Sequence, residues 1–207
     1  MRNRLRLLDL FGLVAPLYDA VAGVAQPNIE RLTALAKLDD VGRFLDAGGG
    51  TGRIAQALQQ VLPEGAPVWL VDLSSGMLRQ AAEKSGIVPC RAAAEALPFP
   101  DGYFPAIVAI DTFHHFHDHA RAARELVRIL APGGRLVVEE PDVRRFAVKL
   151  VALGERLVLM RSHFYPPDEL MPFFEGDGVT LELHEEDHTY WLVVEKAGGG
   201  SRRDGWG

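Results

Sequence analysis

The chain contains a single cysteine, Cys90, among 207 residues. One thiol excludes an intramolecular disulfide and a cysteine-built zinc cage, and it fits a reducing compartment, so a cytoplasmic location is expected. Long apolar runs are also missing, since no stretch reaches the ~20 consecutive apolar residues of a membrane-spanning helix. The N-terminal run "MRNRLRLLDLFGLVAPLYDAVAGVA" begins basic and turns apolar, as a secretory leader would, but Arg4, Arg6, Asp9 and Asp19 interrupt it. No clean leader core survives. Its apolar residues recur at helical spacing instead (Leu5, Leu8, Leu13, Leu17, Val21), which predicts amphipathic helices packed on the domain. Excess positive charge is absent too: 22 Lys and Arg stand against 28 Asp and Glu, for a net charge of −6. The paired arginines Arg144 with Arg145 and Arg202 with Arg203 are too short to form a basic field, so nucleic acid is not expected as the main partner. Internal repeats are missing, and the one low-complexity piece is the glycine-rich tail from Ala197 to Gly207, expected to be flexible.

What remains is an ordinary globular composition, 48% hydrophobic and 24% charged, in a chain long enough to bury one sizeable core. Short continuous apolar runs, "RFLDAG" (43–48), "PVWLVD" (67–72), "VPCRAA" (88–93), "PAIVAID" (105–111) and "RLVVEE" (135–140), read as strands buried on both faces. Between them "TGRIAQALQQVL", "SSGMLRQAAEKSG" and "DHARAARELVRILAPGG" carry apolar residues three or four apart and read as helices, the last stopped by its "APGG" and followed by a tight turn. Strands alternating with helices predict a doubly wound, mainly parallel α/β sheet. After residue 141 a helix is expected over about 143–160. "VTLELHEEDHTYWLVVEKA" then reads as an antiparallel hairpin turning near Glu185 to His188, which brings the sheet to seven strands. The organisation expected is a helical cap over residues 1–40, a ligand-binding domain over 41–196 and a tail over 197–207. In such sheets ligands bind beyond the carboxyl ends of the strands, which selects the loops 47–52, 73–77, 94–99 and 111–117.

In the first of these loops, "FLDAGGGTGR" sets Asp46 at a strand end and Gly48, Gly49, Gly50 and Gly52 in the turn that opens a helix. Such a turn can bend sharply and let a ligand lie against helix N–H groups. Twenty residues beyond Gly52, Asp72 ends the second strand, where a carboxylate can accept from both hydroxyls of a ribose. Two nucleotide readings stay open on these residues alone. "GTGRIA" (50–55) fits the dinucleotide pattern of an NAD(P)-dependent oxidoreductase, whereas "DAGGGTG" places an acid directly before the glycines.

The last loop carries four of the seven histidines, His114, His115, His117 and His119. On one helix His115 and His119 would share a face, with Asp118 or Glu125 adding an oxygen ligand for zinc. The favoured reading is without metal: Asp118 caps a helix, and His117 to His119 begin it in solvent.

Taken in order, "LDAGGGTGR", "VDLSSGML", "AEALPFPDGYFPAIVAIDTFHH" and "RILAPGGRLVVEEP" resemble the successive motifs of the class I S-adenosylmethionine-dependent methyltransferases, over about residues 43–141. The branch most resembled contains the ubiquinone and menaquinone biosynthesis C-methyltransferases, and "LFGLVAPLYDAVAG" is similar to its N-terminal Tyr-Asp segment. The resemblance implies a Rossmann-like methyltransferase fold with S-adenosyl-L-methionine as cofactor. It implies that Gly48, Gly50 and Gly52 cradle the methionine part while Asp46 orients the loop, and that Asp72 binds the ribose. Leu73 and Met77 then pack on the adenine, Ala94 and Glu95 meet its edge, and Asp111 borders the cofactor. The chain departs from the family pattern at Ala93, where an acid is frequent, and at Pro105, where Asp is usual.

Methyl transfer is an in-line displacement in which the protein positions the reactants and excludes water, with a base needed only where the acceptor must lose a proton. The base candidates are His114, His115 and, from the N-terminal segment, Tyr18. His163 and Tyr165, in the variable "RSHFYPPDEL" loop, are candidates for substrate contact, and the loop itself reads as a lid or pocket wall. Phe164, Tyr165, Met171, Phe173 and Phe174 favour a small, apolar or aromatic, quinone-like methyl acceptor. A non-catalytic S-adenosylmethionine-binding protein is the other alternative to the oxidoreductase, and monomer and homodimer are left open.

Overall fold

Apolar runs form the strands β1 (Phe44–Ala47), β2 (Val68–Asp72), β3 (Ile87–Arg91), β4 (Phe104–Ile110) and β5 (Leu130–Pro141), joined by β6 (Val179–Glu186) and β7 (Thr189–Lys196). The computed structural model describes residues 28–38, 41–145 and 163–198. The strands make one seven-stranded sheet in the order β3-β2-β1-β4-β5-β7-β6. β1 pairs in parallel with β2 and β4, and the parallel ladder continues to β3 on one side and β5 on the other. β7 runs antiparallel to β5, and β6 to β7, with the hairpin turning at Asp187 and His188 as expected. Strand order reverses between β1 and β4, which opens a crevice at their carboxyl ends.

Alternation along each strand sends side chains to two cores. Leu45, Ile107, Leu136, Val138 and Leu192 belong to one; Phe44, Val108, Val137, Trp191 and Val193 belong to the other. The helices are α1 (Ile29–Ala36), α2 (Arg53–Leu58), α3 (Ser75–Ala82), α4 (His119–Ile129) and α5 (Pro167–Leu170). Leu32, Ala55, Leu58 and Ala81 put α1, α2 and α3 on the second core, and Ala123, Leu126, Ile129 and Leu170 put α4 and α5 on the first. Helices therefore cover both faces, as a doubly wound sheet requires.

Three boundaries differ from the sequence expectation. α2 stops at Leu58, and residues 59–62 continue as turns up to Pro63, which has no N–H to carry a helix further. β5 begins at Leu130 rather than Arg135: Leu130 pairs with Phe104, the register shifts, and pairing resumes at Ala106 with Arg135. "APGG" is thus a bulge within the strand, set opposite Pro105, which has no N–H for the ladder. Residues 143–145 form a turn in which the Arg144 N–H donates to the Asp142 side chain and the Arg145 N–H to its carbonyl. The rest of the helix expected to 160, Tyr18 with the N-terminal helices, and the tail beyond Gly198 lie outside the described residues.

Candidate active site

The loop after β1 is built by glycines that the backbone geometry requires. Gly48, Gly50 and Gly52 all have positive φ, at 75°, 56° and 80°. A Cβ on Gly48 would lie 2.1 Å from Thr112 Oγ1, so the turn is pressed against the loop after β4. A Cβ on Gly50 would meet no atom of the described residues within 4 Å, which leaves open space on that side among them. The Gly50 N–H donates to Asp72 Oδ2 (3.1 Å) and the Ser74 N–H to Asp72 Oδ1 (2.7 Å). One carboxylate at the end of β2 thus ties the glycine turn to the next loop. Beside it Leu73 is 44% exposed, while Met77 and Ala94 are buried.

Carboxyl groups gather at the strand ends. Asp46 is buried, and its Oδ2 has no hydrogen-bond partner among the described residues. Burial, with some repulsion from Asp72, raises its pKa to about 7 against the opposing pull of the Ala55 N–H and Arg53. Burial likewise raises Asp72. Glu139, paired on β5 with Trp191 of β7, is pushed up to about 8 by desolvation and then by Asp111 and Glu140, with Arg53 opposing. Asp111 is exposed, holds a left-handed φ of 51° and donates its N–H to the Glu139 carbonyl.

The loop after β4 turns through a short 3₁₀ helix, Phe113–His115. Glu140, from the end of β5, holds it. Its Oε1 accepts from the Thr112 N–H (3.0 Å) and the Phe113 N–H (2.7 Å), and its Oε2 lies 2.6 Å from His114 Nδ1. His114 and Glu140 are each 2% exposed. His115 is exposed, yet the surrounding protein and then His114 hold its imidazole well below the usual range. The two adjacent imidazoles thus occupy different environments, His114 buried and His115 exposed.

Residues 163–165 lie along this loop. The His163 N–H donates to the His114 carbonyl (2.9 Å), and Phe164 stacks on the His114 ring with centroids 4.2 Å apart. The Tyr165 hydroxyl is 3.2 Å from His119 Nδ1, its ring packs edge-on to Phe173, and its carbonyl accepts from the Tyr190 hydroxyl. His119, expected in solvent, is instead half-buried between Phe113 and Tyr165. The aromatic residues that follow α5 return to the first turn of α4 and cover it. Asp118 caps α4 as expected, accepting from the Arg121 N–H. The zinc reading needed His115 and His119 on one helix; they lie on separate elements, and no group of three or more metal-binding side chains comes together among the described residues.

Of the residues expected at the adenine, Glu95 also braces the loop after β4. Its Oε1 accepts from the His117 and Asp118 N–H groups, which leaves Oε2 for any ligand. Sequence reasoning passed over Glu139, Glu140 and Thr112. The signal available for the first two was the pair of acids closing an apolar run in "RLVVEEP", since buried carboxylates are seldom placed there without partners.

A glycine turn, an acid one strand away and a switch point between them define a nucleotide-binding α/β protein. Residues 45–138 match the family described as methyltransferase domain. The ubiquinone/menaquinone biosynthesis C-methyltransferase UbiE of Edwardsiella ictaluri is 31% identical over 210 residues, covering 93% of this chain and 82% of that protein. Its counterpart in Photorhabdus laumondii is 35% identical over 208 residues, covering 92% and 81%. Among solved structures, an S-adenosylmethionine-dependent methyltransferase from Thermotoga maritima shares the fold with a TM-score of 0.70 at 22% identity, over 91% of this chain and 99% of that one. The cyclase SpnF shares it with a TM-score of 0.76 at 18% identity, over 93% and 96%. The chain belongs to the class I S-adenosylmethionine-dependent methyltransferases, and S-adenosylmethionine is its cofactor. The oxidoreductase reading of "GTGRIA" falls with that membership.

The residues present fit this cofactor. Open space at Gly50, an exposed Leu73 beside a hydrogen-bonding Asp72, and an unpartnered Asp46 oxygen under the glycine turn supply room, an apolar flank and acceptors.

Proposed function

We propose that the acceptor is a small aromatic or apolar molecule of quinol-like chemistry, methylated beside the loop after β4. The observation that carries this reading is the aromatic strap Phe164–Tyr165, held with Phe173 against His114 and His119. Planar apolar ligands bind against such walls. The names of the two relatives support the quinone class.

Bound S-adenosylmethionine supplies an electrophilic methyl group on a cationic sulfonium. Gly48, Gly50, Gly52 and Asp46 hold the methionine end, Asp72 the ribose, and Leu73, Met77, Ala94 and Glu95 the adenine. Asp111 and Glu139 give the sulfonium an anionic surrounding. His163 and Tyr165 line the acceptor side, and a proton released by the acceptor passes to the His114 and His115 pair.

Calorimetry with S-adenosylhomocysteine and NADH, followed by turnover on quinols, catechols and small amines, tests this. Binding of S-adenosylhomocysteine alone, with methylated quinols or catechols as products, is expected. Tyr165→Ala should then lower kcat/KM for the acceptor by about tenfold, the worth of a good aromatic contact, with S-adenosylhomocysteine affinity unchanged. Turnover confined to amines would reject the acceptor class.

A further inference from the structure

Four glycines among residues 48–52 leave the turn after β1 with little conformational preference of its own, because glycine takes either sign of φ at similar cost. Gly48, Gly50 and Gly52 must all hold positive φ, so contacts from outside the turn have to select that state. One such contact comes from the far end of the next helix. Lys84, just past α3, reaches back 33 residues, and its Nζ donates to the Thr51 carbonyl at 2.6 Å. Thr51 is buried and Lys84 half-buried, which partly shields this charge-assisted bond from water. The C=O and N–H of a trans peptide point in opposite directions, so a fixed Thr51 carbonyl also fixes the Gly52 N–H. That N–H donates to the Gly49 carbonyl (2.9 Å), and Gly49 lies directly on Asp46, where a Cβ would stand 2.5 Å from Oδ2. The lysine is itself anchored. Three residues before it Ala81 faces Gly52, whose Cβ would come within 3.3 Å of the Ala81 methyl, and two residues after it Gly86 is pressed on Gln59, which closes α2. The chain at the end of α3 is thus packed against both ends of α2.

We propose that Lys84 is a positioning residue for S-adenosylmethionine, holding the Thr51–Gly52 peptide so that the glycine turn already has its binding conformation when the methionine end of the cofactor arrives. The inference rests on the reading above that Gly48, Gly50 and Gly52 hold that end. A turn kept in one state binds at its intrinsic affinity, whereas a turn that spends about a tenth of its time there binds about tenfold more weakly. Lys84 acts through the turn rather than on the ligand, so its effect falls on the amino-acid end of the cofactor. The adenosine end, assigned to Asp72, Leu73, Met77, Ala94 and Glu95, depends on it far less.

The test uses the full chain, ¹⁵N-labelled, as wild type, Lys84→Met and Lys84→Arg. Amide hydrogen exchange of the ligand-free protein reports the turn directly, and calorimetry compares S-adenosylhomocysteine with 5′-methylthioadenosine, which lacks the amino-acid end. In Lys84→Met the Gly52 amide should exchange about tenfold faster while the amides of β2 keep their rates. S-adenosylhomocysteine should bind about tenfold more weakly, and methylthioadenosine within about twofold of the wild type. Lys84→Arg should restore most of the affinity, since a guanidinium offers N–H donors to the same carbonyl. Weakening of both ligands in parallel, in step with a falling melting temperature, would overturn the proposal. So would a Lys84→Met protein whose Gly52 exchange and S-adenosylhomocysteine affinity match the wild type. A wild type that binds the two ligands equally would instead reject the methionine-end reading of the turn. Gly52 exchange then decides the hold of Lys84 by itself: a faster rate in Lys84→Met upholds it, and an unchanged rate removes it.

Discussion

Glu139 and Glu140 are neighbours in sequence with opposite fates. Alternation along β5 turns Glu140 to the face of Val138 and Tyr190, where two N–H groups and His114 Nδ1 meet it, and Glu139 to the face of Val137 and Trp191, where burial and Asp111 raise its pKa to about 8. A carboxyl that binds its proton more tightly folded than unfolded lowers stability as pH climbs from its ordinary value of 4.5 towards 8. Glu139→Gln removes that dependence. Thermal melts should show the variant gaining on the wild type progressively from about pH 5 to about pH 8, with most of the gain at the alkaline end. Parallel melting curves across that interval would mean that Glu139 is not desolvated. Bound S-adenosylmethionine should shrink the difference, because a nearby cation returns the carboxylate to its ionised form.

At the scale of elements, β4 holds the sheet's two halves together, pairing with β1 on one side and β5 on the other. Its first residue, Phe104, is fully buried and meets Phe99 and Tyr103 edge-on at 4.9 and 4.8 Å. Phe104→Ala should cost about 3–5 kcal/mol in urea unfolding, with the denaturant slope preserved. A loss well under ~1 kcal/mol would mean that the packing closes over the gap. The strands were legible in sequence because burial on both faces leaves an unbroken apolar run. The break at Pro105 and the bulge facing it were not, since a ladder defect belongs to two strands at once.

For the whole molecule, the order β3-β2-β1-β4-β5 gathers the loops that follow β1, β2 and β4 at one edge of the sheet. Ligand bound there touches several elements, so it should stabilise the fold as a unit. S-adenosylhomocysteine at about a hundred times its dissociation constant should add about 2.7 kcal/mol to the unfolding free energy. NADH at the same concentration should leave the melting temperature where it is. A rise with NADH and none with S-adenosylhomocysteine would contradict the family's cofactor. No helix among the described residues is long and apolar enough to cross a membrane.

Composition and short-range pattern by themselves determined the alternating α/β order, the hairpin at the end, the glycine turn and the acid at the end of β2. These depend on periodicity, on turn chemistry and on strand ends, all written within a few neighbouring residues. Only the tertiary structure decided the tasks of the polar side chains. Glu95, expected at the adenine, also reaches N–H groups 22 and 23 residues on. His119 was expected in solvent and meets Tyr165 from 46 residues away. Glu140 on β5 finds His114, which follows β4, across 26 residues. A carboxylate or an imidazole acquires its charge, its burial and its partner from groups that folding brings to it, and no local spacing encodes those distances.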